Sequence, residues 1–192
     1  MNRSLIFLAL LASTSAMADS SVPVQNSANI QDSGAQYNGN FGVNQAAGDQ
    51  SQQANVRAIA NGPSASATTT INQNINTASD PRMNATATIG GNSFSNGSGV
   101  LGVNQSAGAG NQMANVVRIS TSTGPQSIDD SVLSQQNVTP SISSGATDTS
   151  KGSRQVITSD QAFTGSRGVI QVNQSAGVGN QVSNTLSIRV AN

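Results

Sequence analysis

Three pairs of side-chain amides recur at matched offsets: Asn44-Gln45, Asn104-Gln105 and Asn173-Gln174. Each pair is followed by a further Gln and Asn, at Gln52 and Asn55, Gln112 and Asn115, and Gln181 and Asn184. The chemistry open to an amide is hydrogen bonding, through two N–H donors and one carbonyl acceptor. Amides repeated along a stack of strands donate to the copy on one side and accept from the copy on the other. That geometry calls for Asn or Gln where an ordinary strand accepts Thr or Ser. No reacting group accompanies them. The 192 residues include no His, no Cys and no Trp, and all eight acidic residues are Asp. Without imidazole or thiol, the usual general bases, nucleophiles and transition-metal ligands are missing, so neither an enzyme nor a cofactor is expected. A Ser or Thr nucleophile would need Lys151 or an Asp as its base, and none stands beside a recurring Ser. Asp129 and Asp130 are adjacent, and neighbours on an extended strand point to opposite faces.

The elements that carry the amides repeat with them. Aligning 33–60, 93–120 and 162–189 without a gap gives nine identical columns in 28, too many for scattered turn and surface residues. Val43, Val103 and Val172 precede the amide pairs, Gly48, Gly108 and Gly177 close the first arm, and Ile59, Ile119 and Ile188 end the second. In period two, Phe41, Val43, Gln45 and Ala47 share one face and Asn44 lies on the other, the pattern of a half-buried strand. The glycines and their Asn or Asp neighbours suit the positive φ of a tight reversal. The second arm places Met113, Asn115, Val117 and Ile119 on one face. Its counterpart in the first copy is weaker, with Gln53 and Arg57. A strand–turn–strand unit cannot bury its apolar face alone and does so by stacking on its neighbours. The expected fold is all-β: three stacked repeats in a β-solenoid-like, amyloid-competent cross-β stack, with layers roughly 4.8 Å apart. Val43, Val103, Val172, Ile59, Ile119 and Ile188 are its expected apolar core.

The remaining segments divide by composition. Residues 1–18 read as a signal peptide, with Asn2-Arg3, an apolar run from Leu5 to Ala12, and Ala16-Met17-Ala18 as the cleavage site. Residues 19–32 form an N-terminal segment, and 61–92 and 121–161 are linkers of unequal length expected to loop out from the stack. Repeat three runs over 162–192. The linkers hold Pro63, Pro81, Pro125 and Pro140 and most of the acids, a disposition that guards against premature association. Thr68-Thr69-Thr70-Ile71 is a candidate short strand. Charged residues make up 8% of the chain and the net charge is zero, so there is no basic stripe for nucleic acid. Low charge with Asn and Gln at fixed positions favours β-assembly over disorder.

With its repeats at Gly42–Gly48, Gly102–Gly108 and Gln171–Gly177, each with a Gln/Asn arm downstream, the chain resembles the Fap functional-amyloid subunits, which form biofilm fibres of pseudomonads. The last copy departs from the family pattern in having Gln171 for Gly. The major subunit of that system ends in a Cys-x-x-Cys motif. A chain with no Cys and compact linkers is more similar to the minor, nucleating subunit. The resemblance implies secretion through the periplasm and an outer-membrane export pore to an extracellular fibre on the cell surface. It also implies two partners, further copies of the chain itself and the major amyloid subunit. Curli repeats are similar in physics but follow one another more closely. Two other roles compete. One is a chaperone-like or inhibitory component of the same export system. The other is a β-solenoid adhesive module, disfavoured because Thr185 aligns with Val56 and Val116 rather than with a Thr ladder.

Overall fold

The computed structural model describes residues 23–75, 82–123 and 152–191. The expected leader, most linker acids and prolines (Asp80, Asp129, Asp130, Asp148, Pro81, Pro125, Pro140) and Lys151 lie outside them. Nine strands make up the described fold: β1 Gln25–Gln31, β2 Asn38–Ala47, β3 Gln52–Gly62, β4 Asn84–Gly90, β5 Ser98–Ala109, β6 Gln112–Ser122, β7 Arg154–Thr158, β8 Arg167–Val178 and β9 Gln181–Ala191. They form three parallel three-stranded sheets, ordered β1-β4-β7, β2-β5-β8 and β3-β6-β9. Each repeat is therefore one layer that contributes one strand to every sheet. The register is the register of the sequence repeat. Asn44 pairs with Asn104 and Asn104 with Asn173, while Asn55 pairs with Asn115 and Asn115 with Asn184.

A layer has three strands, one more than the strand–turn–strand unit read from the sequence. The additional strands β4 and β7 lie in stretches read as linker, and β1 falls in the N-terminal segment. Their contribution is apolar: Ala28 and Ile30 stand beside Ala87 and Ile89 and are buried against the middle sheet. That third sheet changes the environment of the second. The β2-β5-β8 sheet is covered on both faces, not half-buried. Its Val43/Val103/Val172 face packs on the first sheet, and its Asn44/Asn104/Asn173 face meets the third. Val103 is fully buried, with Ile89, Phe94 and Leu101 around it and Val43 and Val172 packed on either side.

The isoleucine column does not join that core. Ile59 is 62% and Ile188 38% exposed, and Ile119 is half-buried. Arg57 reaches the Phe41 carbonyl, so two residues further on Ile59 falls opposite Gly39, which has no side chain to cover it. Gly99 and Gly168 repeat the gap in the other layers.

The first linker is also more ordered than a loop. Residues 64–75 form no strand, and half-buried positions (Ala65, Ala67, Thr69, Ile71, Gln73) alternate with exposed ones. Ser122 Oγ donates to the Pro63 carbonyl, Gln73 Nε2 to the Met113 carbonyl, and Gln52 Nε2 to the Asn74 carbonyl. The segment thus runs back across the outer face of β3 and β6 and covers Ala114, Val116 and Arg118.

At the corner between the first and second sheets an aromatic column forms. Phe94 and Phe163 stack at 5.5 Å, Phe41 tilts against Phe94 at 6.4 Å, and Tyr37 stacks on Phe41. Phe94 and Phe163 both adopt left-handed backbone (φ 60° and 64°), and Gly34 takes the equivalent place beneath the Phe94 ring. Asp32 ties this corner to the next layer, accepting from the Asn92 N–H at 2.8 Å and from Gln31 Nε2 at 3.0 Å. The Gln31 amide, and then the Asn92 N–H, hold the Asp32 carboxyl below the ordinary carboxylate range. Because its folded pKa is lowered, the contribution is present above the ordinary value and lost as pH falls through the lowered one. Acid titration of the Asn92 amide resonance should show this release, and Asp32→Asn should remove it. An Asn92 resonance that titrates unchanged in the variant would contradict the assignment.

Candidate functional site

The recurring amides converge on two seams, one on each face of the middle sheet. In the seam towards the first sheet, Gln105 Nε2 donates to Gln45 Oε1 and Gln174 Nε2 to Gln105 Oε1, each at 2.8 Å. The same nitrogens reach across to strand carbonyls. Gln45 donates to Asn29 O, Gln105 to Thr88 O, and Gln174 to Ile157 O and Ala87 O. The ladder therefore bonds layer to layer and sheet to sheet. At its layer-three end Thr158 Oγ1 donates to Gln174 Oε1.

The seam towards the third sheet holds two parallel Asn ladders that interlock. Asn104 Nδ2 donates to Asn44 Oδ1 at 3.0 Å and Asn173 Nδ2 to Asn104 Oδ1 at 2.9 Å. Across the seam Asn115 Nδ2 donates to Asn55 Oδ1 and Asn184 Nδ2 to Asn115 Oδ1. Within each layer Asn55 donates to Asn44, Asn115 to Asn104 and Asn184 to Asn173, at 2.7–2.9 Å. Backbone carbonyls at Val43, Val103, Val172, Ala54 and Ala114 take further bonds from the same amides. Asn104 is fully buried, and a buried amide persists only where its donors and acceptors are met. Here they are met by other copies of the same residue. In the Gln52 column Gln112 Nε2 donates to Gln52 Oε1 at 3.2 Å and Gln52 Nε2 to the Asn74 carbonyl at 2.8 Å.

The weak second arm of the first repeat finds polar substitutes. Gln53 Nε2 donates to Gln45 O and Ser106 Oγ, and Arg57 Nη2 to Phe41 O at 2.6 Å. The Arg57 guanidinium fits because Gly42 and Gly102 stand opposite; a Cβ on Gly102 would come within 3.0 Å of Arg57 Nη2. Layer three has Leu186 in the register of Arg57 and Val117, and there Gln171 replaces the glycine, donating to Val116 O.

At the turn glycines of the first two layers the backbone of the next layer occupies the place of a side chain. Gly48, Gly108 and Gly177 have φ of 106°, 110° and 127°. A Cβ on Gly48 would lie 2.2 Å from Gly108 O, and one on Gly108 would lie 2.0 Å from Gly177 O. After each turn Gln50, Gly110 and Gly179 also take positive φ. Among the described residues no cluster of three His, Cys, Asp or Glu forms that could hold a metal ion. What the arrangement does chemically is extend hydrogen-bond ladders along one axis.

The profile of the functional amyloid protein FapB/FapC family matches residues 9–191. The chain belongs to the FapB/FapC family. Among curated relatives of this family, the functional amyloid subunit FapC of Pseudomonas aeruginosa is 39% identical over 121 residues, 57% of this chain and 34% of that protein. The chain thus matches about a third of its relative's length. No solved structure matches it. The family's repeats are the layers of the fold. Sequence reading missed three structural features of this FapB/FapC chain. The aromatic corner was legible, since Phe94 and Phe163 share a column of the alignment, as do Asn111 and Asn180, where Asn180 Nδ2 donates to Asn111 Oδ1. The first strand of each layer was not, because β1, β4 and β7 share little sequence: Asn29, Thr88 and Ile157 occupy one column.

Proposed function

We propose that the chain is a secreted functional-amyloid subunit that polymerises head to tail, and that it acts as the minor, nucleating component of a biofilm fibre. The observation that carries this reading is the common polarity of the amide ladders. In every ladder the later layer donates to the earlier one. Layer three therefore ends in Asn173 and Asn184 oxygens that face no further layer, while Asn44 Nδ2 has no acceptor among the described residues. A second copy placed with its layer one on this layer three continues each ladder and closes the open strand edges.

Three complete layers within one chain give a preformed end on which other subunits can add, which is what a nucleator requires. The chain also has no Cys, unlike the major subunits of the system it resembles. Export through an outer-membrane pore and copolymerisation with a FapC-type major subunit follow from the same reading, and the apolar run at Leu5–Ala12 supports secretion.

The test is a seeding experiment. The chain is incubated alone and then added at a few per cent to fresh FapC-type subunit while fibre growth is followed. The expected result is self-assembly and loss of the lag phase. A lengthened lag with no fibres of its own would replace this reading with an inhibitory or chaperone role.

A further inference from the structure

The three strands of a layer do not lie level. Gln105 Nε2 donates to Thr88 O in its own layer at 2.8 Å and to Ala28 O in the layer before at 3.2 Å. Gln174 Nε2 likewise reaches Ile157 O and, one layer back, Ala87 O, each at 2.9 Å. Along the stack β5 therefore sits between β1 and β4, and β8 between β4 and β7. On the other face Asn104 Nδ2 donates to Ala54 O and Asn173 Nδ2 to Ala114 O, again one layer back, while Asn115 Nδ2 donates to Val103 O within its layer. Relative to the middle sheet, the first and third sheets are both displaced by part of a layer towards layer three.

The burial of equivalent positions follows this offset. The third-sheet face of the middle sheet is exposed in layer one, at Gly42, Asn44 and Ala46, yet buried in layer three, at Gln171, Asn173 and Ser175. Both are end layers, so lying at an end does not explain the contrast. β8 has a third-sheet strand on either side, β6 and β9, whereas β2 has β3 alone. In the first sheet the contrast is reversed: Ala28 is 2% exposed in layer one, and Val156 of the same column is 50% exposed in layer three. One end of the chain thus projects β2 as a ridge. At the other end β8 is the floor of a groove walled by β7 and β9.

We propose that this groove is the docking site for β2 of a second copy of the chain. The inference rests on the fibre reading above and specifies its joint. Layers one and two, and layers two and three, are joined through the same columns, and a second copy repeats that joint once more. Its Gln45 Nε2 meets Val156 O and Gln174 Oε1, and its Asn44 Nδ2 meets Ser183 O and the Asn173 and Asn184 side-chain oxygens. These are the register partners of the atoms that Gln105 and Asn104 reach within the chain. Its Ala46 stands beside Val182 as Ser106 stands beside Gln53, whose Nε2 donates to Ser106 Oγ at 3.0 Å. Docking covers the ridge face and Val156 together. Two ridges, or two grooves, would leave strand edges open, so the shape of the ends selects a head-to-tail joint that does not close on itself.

The test is cross-linking in fibres of the full chain, which has no Cys of its own. An Ala46→Cys chain is mixed in equal amounts with a Val182→Cys, Ser175→Cys or Gln155→Cys chain, assembled, and treated with a short bismaleimide. Linked peptides are identified by mass spectrometry. Ser175 is the in-register neighbour that Ala46 of a second copy gains in any head-to-tail stack. Val182 comes within reach when β2 lies between the walls, and Gln155, exposed on the outer face of β7, is the control. Groove docking predicts links to both Val182 and Ser175 about tenfold or more faster than to Gln155, by raised effective concentration. A fast link to Ser175 with Val182 at the control rate would overturn the groove and leave head-to-tail stacking standing. Control rates for both would overturn the two together. A second variant guards against a Cys chain that does not assemble. Ala46 is exposed in the single chain, so Ala46→Arg should keep the parent's unfolding midpoint yet fail to extend parent seeds; growth at the parental rate would overturn the groove.

Discussion

Gly108→Ala is expected to separate layers two and three. At φ 110° an L-residue is strained whatever the space around it, by about 1–2 kcal/mol. The steric clash costs more, since the added carbon would lie 2.0 Å from the Gly177 carbonyl oxygen, and that atom belongs to the strand ladder of the next layer. Relief requires the layers to part and the ladders beside the turn to open. The expected loss exceeds about 4 kcal/mol, at the extreme of single substitutions. The measurement is denaturant unfolding of the unassembled chain, and a midpoint equal to the parent's would sink this expectation. Gly39→Ala makes an informative pair. Gly39 also has positive φ, yet a Cβ there meets nothing within 4 Å in the single chain. The cost to the monomer is therefore limited to the backbone strain. In a head-to-tail fibre the outcome differs. Gly99 and Gly168 would each collide at 2.1 Å with the glycine carbonyl of the layer before them, so Gly39 would collide with Gly168 of the adjoining copy. Gly39→Ala should fold yet fail to elongate, and normal fibre growth would exclude this stacking register.

The second large effect is expected from the buried amides. Asn104→Ala with Gln105→Ala removes the middle rung of two ladders at once. Asn115 Nδ2, Asn173 Nδ2 and Gln174 Nε2 each lose an acceptor, and Asn44 Oδ1 and Gln45 Oε1 each lose a donor. Water reaches neither seam at the middle layer, where Asn104 and Gln105 are both 0% exposed. With about 1–3 kcal/mol for each buried group left unmet, partly offset by the carbonyls that share these amides, the pair should cost about 5 kcal/mol. The same double change at Asn44 and Gln45, on the outermost layer, should cost about 1–2 kcal/mol because its partners are half in solvent. Guanidinium titration with a shared slope separates the two. Equal destabilisation would mean that the ladders hold register without contributing to stability.

The repeat columns carried most of the architecture. Nine identities in one frame set the register of Asn44 on Asn104 on Asn173, because parallel in-register strands place equal residues side by side. The turn glycines were legible for the same reason, and so were the amide ladders. Width was not legible. β7 has Val156 and Thr158 where β4 has Ala87 and Ile89, so the first strand of each layer lacks a repeating signature. Its sheet is recognised by burial against Val43, Val103 and Leu101, which is a property of the packed chain. The same holds for the covering segment at 64–75, whose Ser and Thr composition reads as linker until the Met113 carbonyl and the Val116 surface are placed beneath it.

The isoleucine column shows the limit from the other side. Ile59, Ile119 and Ile188 satisfy the period-two rule for a buried face, yet Ile59 is largely exposed. Periodicity reports which side of a strand a residue takes, whereas burial depends on what stands opposite, and there the facing residues are Gly39, Gly99 and Gly168. By itself the sequence determined the repeat, the register and the chemistry of the ladders, since all three are encoded in residue identity at fixed spacing. Only the tertiary structure decided that a layer has three strands and that the Asn face lies inside. Both depend on contacts between segments that share no pattern.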